Sequence, residues 1–158
     1  MIWMTGLPVF MILFLFLTTL IWVWSTYYSI QLAADAASVA LTNQMDLCVK
    51  GEVQRIRQQS WGWMEDPIGT PEKKNELIQR VIEHQQDQLK SIVHTYMRKN
   101  QVSPHGQITF FYNQRIKVTV HQRLNIPFLR KEVEIYGSGT GPSHDYMAWL
   151  ISPIVISY

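Results

Sequence analysis

The stretch MIWMTGLPVFMILFLFLTTLIWVW, residues 1–24, decides the fold because it has no charged residue and 19 of its 24 residues are apolar. As an α-helix it would be about 36 Å long, at about 1.5 Å per residue, which is enough to cross a hydrocarbon core of about 30 Å. Aromatic residues, typical of the two water–lipid boundaries, lie near its ends: Trp3 at one, and Trp22, Trp24, Tyr27 and Tyr28 at the other. We therefore predict a single transmembrane anchor over residues 1–25.

A secretory signal peptide is the alternative interpretation of this segment. Its apolar region is usually about 7–15 residues long, follows a basic segment and ends at a small-residue cleavage site. Here no basic segment precedes the apolar run, the run is longer, and the small residues Ser38-Val39-Ala40 lie well beyond it. We expect the segment to be retained as an anchor in the lipid bilayer.

The charge distribution separates the anchor from the rest of the chain. The first 34 residues contain no Asp, Glu, Lys or Arg, so all 26 charged residues lie in 35–158. The net charge is only +2 without a block of like charges, and nothing therefore indicates nucleic acid as a partner. Because Cys48 is the only cysteine, an internal disulfide is excluded and the soluble part must be stable through its own core.

The helical pattern continues past the anchor without a break. Residues 25–59 contain no proline and only one glycine, Gly51. Apolar residues recur there at spacings of three and four: Ile30, Ala33, Ala37, Leu41, Met45, Cys48, Val49, Val53 and Ile56. This pattern predicts one helix of more than about 50 residues, with residues 26–59 as its extramembrane continuation. Cys48 is interpreted as a small buried apolar residue, and an intermolecular disulfide or a modified thiol is the alternative.

Four alanines on this helix form a candidate helix-packing interface. Ala33 with Ala37, and Ala36 with Ala40, are small residues four positions apart, a pattern that lets another helix approach closely. The alternative is that these alanines are simply good helix formers. We predict that they contact a partner helix, and that bulky substitutions at Ala33 and Ala37 weaken assembly while a separate sheet stays folded on its own core.

Residues 60–158 are predicted to form a second helix followed by a small antiparallel sheet. After a break containing Trp61 and Trp63, Thr70 and Pro71 have the positions of an N-cap and a first helical residue. A buried face follows at helical spacing: Leu77, Ile78, Val81, Ile82, Leu89, Ile92, Val93, Tyr96 and Met97.

From Gln107 onward the apolar pattern has a period of two, which is typical of strands. Three strands are predicted around 108–112, 116–120 and 133–135, with a turn at Asn113-Gln114 and a bend at Ile126-Pro127-Phe128. Residues 137–143 are rich in glycine and serine and are predicted to be a flexible loop. The apolar segment 146–158 is predicted to be a last strand or a short packing segment. The fold class is therefore α+β.

No catalytic, cofactor-binding or metal-binding site is predicted. The chain lacks the spacing patterns of zinc proteases, P-loops and nucleophile elbows, and its five histidines are scattered. Gly137, Gly139 and Gly141 follow a strand, but Pro142 comes next instead of a helix, which argues against a dinucleotide site. We expect that the protein is not an enzyme and needs no cofactor.

The plan of the chain resembles that of type IV pilin-like proteins, and is most similar to the TadE/TadG-like minor pilins and pseudopilins. The resemblance rests on the segment YYSIQLAADAA at 27–37 and on the strand patterns at 116–120, 126–128 and 133–135 before a glycine- and serine-rich stretch. Five residues after Gly6, where prepilins have a glutamate, this chain has Met11. The resemblance implies a membrane-anchored structural subunit, with other pilin-like or secretion-apparatus subunits as partners in a homo- or hetero-oligomer, and no reaction.

Three functional hypotheses follow. The first is a structural or assembly subunit of a pilus-like filament or secretion apparatus. The second is a bitopic component of a conjugation or secretion channel, for which the helix of the soluble domain would be separate from the membrane span. A membrane-tethered enzyme or ligand-binding domain is the third and would need a concave polar pocket. The bulk of the chain is expected outside the cytoplasm, since no Lys or Arg follows the span before Lys50.

Overall fold

The computed structural model describes residues 2–59, 68–110, 114–126 and 131–158. Its elements in chain order are α1 (Ile2–Gln59), α2 (Pro71–Lys99), β1 (Gly106–Phe110), β2 (Ile116–Ile126), β3 (Lys131–Thr140), a 3₁₀ helix (Asp145–Trp149) and β4 (Ile154–Ser157). The predicted α+β class, with a long N-terminal helix, a second helix and an antiparallel sheet, is confirmed. Trp61, Trp63, Tyr112, Asn113, Pro127 and Phe128 lie outside the described residues, and so do the break, turn and bend predicted at them.

The first helix, α1, runs without interruption through 58 residues, about 87 Å at about 1.5 Å per residue. Pro8 lies inside it, close to its start. The prediction of one helix that continues from the apolar segment into the soluble part is confirmed. No hinge therefore separates the apolar segment from the part of α1 that packs in the fold.

The second helix, α2, begins where its capping residues predict. Thr70 has an extended backbone, and its side-chain oxygen accepts a hydrogen bond from the Lys73 N–H while Pro71 occupies the first turn. Most of the predicted inner face is buried, and Ile92 and Tyr96 are only partly buried at its margin. Arg98 and Lys99 lie in the last turn, where their positive charges interact favourably with the negative end of the helix dipole.

The four strands form one antiparallel sheet in the order β3-β2-β1-β4. Alternation buries one face of the central strands, at Ile108 and Phe110 on β1 and at Ile116, Val118 and Val120 on β2. The predicted strands around 108, 116 and 133 are confirmed, and the predicted last strand is β4, preceded by the 3₁₀ helix.

The prediction of a flexible loop over residues 137–143 is wrong for its first part, because Gly137 to Thr140 are paired in β3 with β2. Gly137, Gly139 and Gly141 follow the inner face of α1. A Cβ atom on Gly137 would lie 2.5 Å from Ile30 Cγ2, one on Gly139 would collide with the Ala34 backbone, and one on Gly141 would lie 2.7 Å from the Ser38 carbonyl oxygen. Two strand residues advance about 6.7 Å and four helix residues about 6 Å, so one glycine meets each successive turn.

The sheet has no core of its own, contrary to expectation. Ile108 and Val118 on the sheet belong to one buried cluster with Ala33 and Ala37 of α1 and with the inner face of α2. Residues of α1 from Ile30 to Val49 are therefore part of the fold of the soluble domain, and the sheet depends on them.

Candidate helix-packing surface

The first part of α1 is the most apolar exposed surface of the described chain. Its most apolar window of 18 residues has a mean hydropathy of 2.4, and none of it is buried inside the fold. Phe10, Ile12 and Phe16 are each about two thirds exposed. Within the described residues this is one helix long and apolar enough to cross a membrane, near the N-terminus. Lipid or another apolar surface must cover such side chains.

Exposed aromatic residues lie where the apolar segment meets the folded part. Trp22, Trp24, Tyr27 and Tyr28 project from α1 and are between about two fifths and three quarters exposed. The indole and phenol groups have an apolar body and a polar tip, which suits the layer between water and hydrocarbon. These four residues are therefore suited to a water–lipid boundary near residues 22–28.

Two of the four predicted interface alanines lie in the core of the chain itself. Ala33 and Ala37 have no exposed surface and belong to the core cluster beneath the sheet. A Leu side chain at either position would therefore have to displace core atoms of this chain. Ala36 and Ala40 are half-buried at the margin of the outer face, and their contact with a partner helix stays a prediction.

The outer face of α1 carries a second, uncharged stripe that was not predicted from the sequence. It points away from the sheet and recurs at steps of three and four residues; we call it the outer stripe: Ile21, Ser25, Tyr28, Leu32, Ala36, Val39, Asn43 and Leu47. Leu32, Val39 and Leu47 are 48%, 44% and 66% exposed. The stripe extends about 39 Å along the helix and begins inside the apolar segment. Its signal in the sequence is the recurrence of apolar residues at 32, 39 and 47, seven and eight positions apart. These residues alternate with the apolar residues of α1 that face the sheet.

Charges border the outer stripe without entering it. Asp35 lies beside it, exposed, and accepts a hydrogen bond of 3.3 Å from Gln31 Nε2. Asp46 forms an ion pair of 2.7 Å with Lys50 Nζ and lies 3.6 Å from His144 Nδ1. The stripe itself is uncharged along its whole length, so an apolar helix can lie along it without burying a charge.

Polar groups collect in two clefts farther along α1. One cleft, of about 660 Å³, lies between α1 and the 3₁₀ helix and is lined by residues that include Asp46, Lys50, Arg57, His144 and Trp149. Among the described residues no three His, Cys, Asp or Glu side chains stand together as metal ligands. Since Asp46 in this cleft is paired with Lys50 and lies beside His144, its geometry supports no particular reaction.

The second cleft, of about 320 Å³, lies between α1 and α2 and contains Cys48 at its edge. Cys48 is half-buried rather than fully buried, and its sulfur accepts a hydrogen bond of 3.6 Å from Gln44 Nε2. Nearby, a bidentate hydrogen bond from the Arg55 guanidinium lowers the pKa of the Glu52 carboxyl. Glu52 and Arg55 are three positions apart on α1, so this ion pair joins two side chains of the same helix turn.

Comparison of the chain with protein-family models, with curated proteins and with solved structures gives no match.

Proposed function

We propose that this chain is a membrane-anchored structural or assembly subunit of a pilus-like filament or secretion apparatus. The observation that carries the proposal is the outer stripe, an uncharged helical surface that continues unbroken from the apolar segment into the folded part. The inner face of the same helix is used by the chain's own core. The outer face is thus left for a partner.

The physical argument concerns how membrane helices associate. Lipid tails are as apolar as the side chains they touch, so the hydrophobic effect contributes little to helix association within the bilayer. Association depends instead on close packing between helix surfaces of complementary shape. Ser25 and Ala36 lie along the outer stripe among larger residues, of which Tyr28 and Leu32 are two. Small residues between large ones provide hollows that receive side chains of a neighbouring helix. The amide of Asn43 adds a group that can form a hydrogen bond between helices.

The partner proposed for this surface is the corresponding helix of another pilin-like subunit or of a second copy. Such a helix would begin in the same bilayer and continue out of it beside α1. It would therefore meet the outer stripe along both its apolar and its extramembrane parts.

Continuity of α1 supports this function over a non-pilin channel component. In the channel hypothesis the helix of the soluble domain is separate from the span, whereas here a single helix supplies both the apolar segment and the inner face of the fold. The continuity of α1 also supports retention of the apolar segment as an anchor. Cleavage after Ala40 would remove Ile30, Ala33 and Ala37 from the core.

We further propose that the folded part lies outside the cytoplasm. Its support is the absence of Lys and Arg between the apolar segment and Lys50, which leaves no positive charge next to the span to hold it inside. Protease added to intact cells is expected to digest the folded part. Digestion that occurs only after lysis would place it inside.

The decisive experiment adds one charge to the outer stripe. Val39→Lys and Leu47→Lys are expected to reduce filament counts in electron micrographs and co-purification of partner subunits after cross-linking. Both positions are exposed, so the melting temperature should not change. Gln88→Lys adds the same charge at an exposed position of α2 and is the control. Normal assembly with both stripe variants would refute the proposed surface.

A further inference from the structure

The end of β2 packs against α1 at the level of the apolar segment. Ile126, the last residue of β2, is buried and lines a groove of about 450 Å³ with Ile12, Leu15, Phe16, Thr19, Leu20 and Val23 of α1. Along α1 the half-buried positions begin at Thr19 and recur at Val23 and Thr26 before the buried Ile30. The sheet thus reaches down the helix as far as Thr19.

This contact lies at the level of the aromatic residues that suit a water–lipid boundary and about one turn below them. Val23 lies between Trp22 and Trp24, and Thr19 is three positions nearer the middle of the apolar segment than Trp22. On the opposite face of the same turns, Leu17 and Ile21 are about half and two thirds exposed and need an apolar surrounding. If lipid covers those two residues, Ile126 lies at the same depth.

The chemistry of this end of the sheet limits how far it enters. Apolar residues on its helix-facing side are Leu124 and Ile126 on β2 and Val133 on β3, and Val133 is partly exposed. Its other side is polar, with Asn125 opposite Glu132. Strand ends carry backbone groups that hydrocarbon cannot satisfy, whereas the headgroup layer can. Amphipathic helices, which also carry one apolar and one polar side, lie with the apolar side about 5–10 Å into the boundary between headgroups and acyl chains.

We propose that residues 124–126 of β2 and 132–133 of β3 form a second membrane contact, here called the hairpin contact, which is seated in the headgroup layer beside α1 with lipid acyl chains in the groove below Ile126. The inference rests on the membrane anchor of the proposed function but not on filament assembly. It fixes the folded part against the bilayer surface and so sets the depth and the tilt of α1.

Depth-dependent fluorescence quenching tests this contact in phosphatidylcholine vesicles that contain the purified full chain alone. In a Cys48→Ser background, a fluorophore is attached at Asn125→Cys, with controls at Lys117→Cys and Phe14→Cys. Lys117 lies on the same side of the same strand, about 26 Å from Asn125 at about 3.3 Å per residue. Phe14 lies within the apolar segment. One set of vesicles contains lipid with a nitroxide on the headgroup, and another contains lipid with a nitroxide in mid-chain.

The expected result is strong quenching of the Asn125 label by the headgroup nitroxide, strong quenching of the Phe14 label by the mid-chain nitroxide, and weak quenching of the Lys117 label by both. If the Asn125 label behaves like the Lys117 label while the Phe14 label is quenched, the anchor stands and the hairpin contact is refuted. An unquenched Phe14 label would overturn the anchor and the hairpin contact together.

Discussion

The side-chain amide of Gln31 pairs with both backbone groups of Ser138. Its Nε2 donates to the Ser138 carbonyl oxygen at 2.9 Å, and its Oε1 accepts from the Ser138 N–H at 3.4 Å. β3 is an edge strand, so without this pair these groups would be open to a strand of another molecule. One glutamine of α1 thus takes the place of a fifth strand at one position of the sheet edge.

Replacing Gln31 by Ala is expected to lower the free energy of unfolding by about 1 kcal/mol, because the two hydrogen bonds to Ser138 and the one to Asp35 are lost at an exposed site, where water partly replaces them. Chemical denaturation of the detergent-solubilised protein measures the change. Gln88→Ala is the control, since it makes the same substitution at an exposed position of α2. Equal effects of the two substitutions would show that the pairing with Ser138 does not stabilise the fold.

Gly139→Ala is expected to destabilise the protein by about 1–3 kcal/mol. Alanine normally gains about 0.5–1 kcal/mol over glycine within a regular element, but here its Cβ would collide with the Ala34 backbone, which cannot give way. Gly51→Ala is the matched control, because a Cβ there meets nothing within 4 Å and is expected to stabilise α1. We expect Gly139→Ala to lower the melting temperature and Gly51→Ala to raise it. A stabilising Gly139→Ala would contradict the close approach of α1 to β3.

Stability is expected to fall as the pH rises above about 10, the ordinary pKa of tyrosine. Burial raises the pKa of Tyr158, and burial together with the negative charges that Asp46 and Cys48 can carry raises the pKa of Tyr146. The folded chain thus keeps phenol protons that the unfolded chain loses, and the stabilisation present below pH 10 is lost above it.

A Tyr158→Phe variant tests this mechanism through melting temperatures measured between pH 8 and pH 11. Below pH 10 it should be less stable by about 1 kcal/mol, since Tyr158 Oη donates to the Thr119 carbonyl oxygen. Above pH 10 its melting temperature should fall less steeply than that of the wild type. Parallel curves would show that this phenol does not cause the alkaline loss.

Gln122→Met is expected to raise the free energy of unfolding by about 1 kcal/mol. The Gln122 side-chain oxygen is buried and has no hydrogen-bond partner within the described part of the chain, so a methionine of similar shape removes an unsatisfied polar atom. Gln107→Met, at an exposed position of β1, is the control for added hydrophobicity. A lower stability of Gln122→Met would indicate that this oxygen does have a partner.

Local signals were sufficient to predict the elements. The cap formed by Thr70 and Pro71 depends only on neighbours along the chain, and the alternation at 116–120 follows from one buried sheet face. The glycines of β3 show where such signals end. Glycine is normally unfavourable within a strand. Gly137 and Gly139 are nevertheless required, because α1, which lies about a hundred residues earlier in the sequence, approaches β3 too closely for a side chain.

The packing surface was only partly predictable for a related reason. Small residues at Ala33 and Ala37 do indicate close packing, but the pattern does not say whether the neighbour is another molecule or the same chain. The structure gives the chain's own sheet as the neighbour. Apolar residues on both faces of α1 also alternate along the sequence. The spacing of the outer residues Val39 and Leu47 is therefore hard to recognise among the inner ones.

The long separation between α1 and β3 has a consequence for biosynthesis. During synthesis the inner face of α1 stays uncovered until β3 has been made, and 107 positions separate Gln31 from Ser138. During that interval Ile30, Leu41 and Met45, which are buried in the folded chain, are exposed apolar surface. The nascent chain is therefore most prone to aggregation before β3 has been made, and a chaperone that binds exposed apolar surface at that stage would act on the part of the protein that ends as its core.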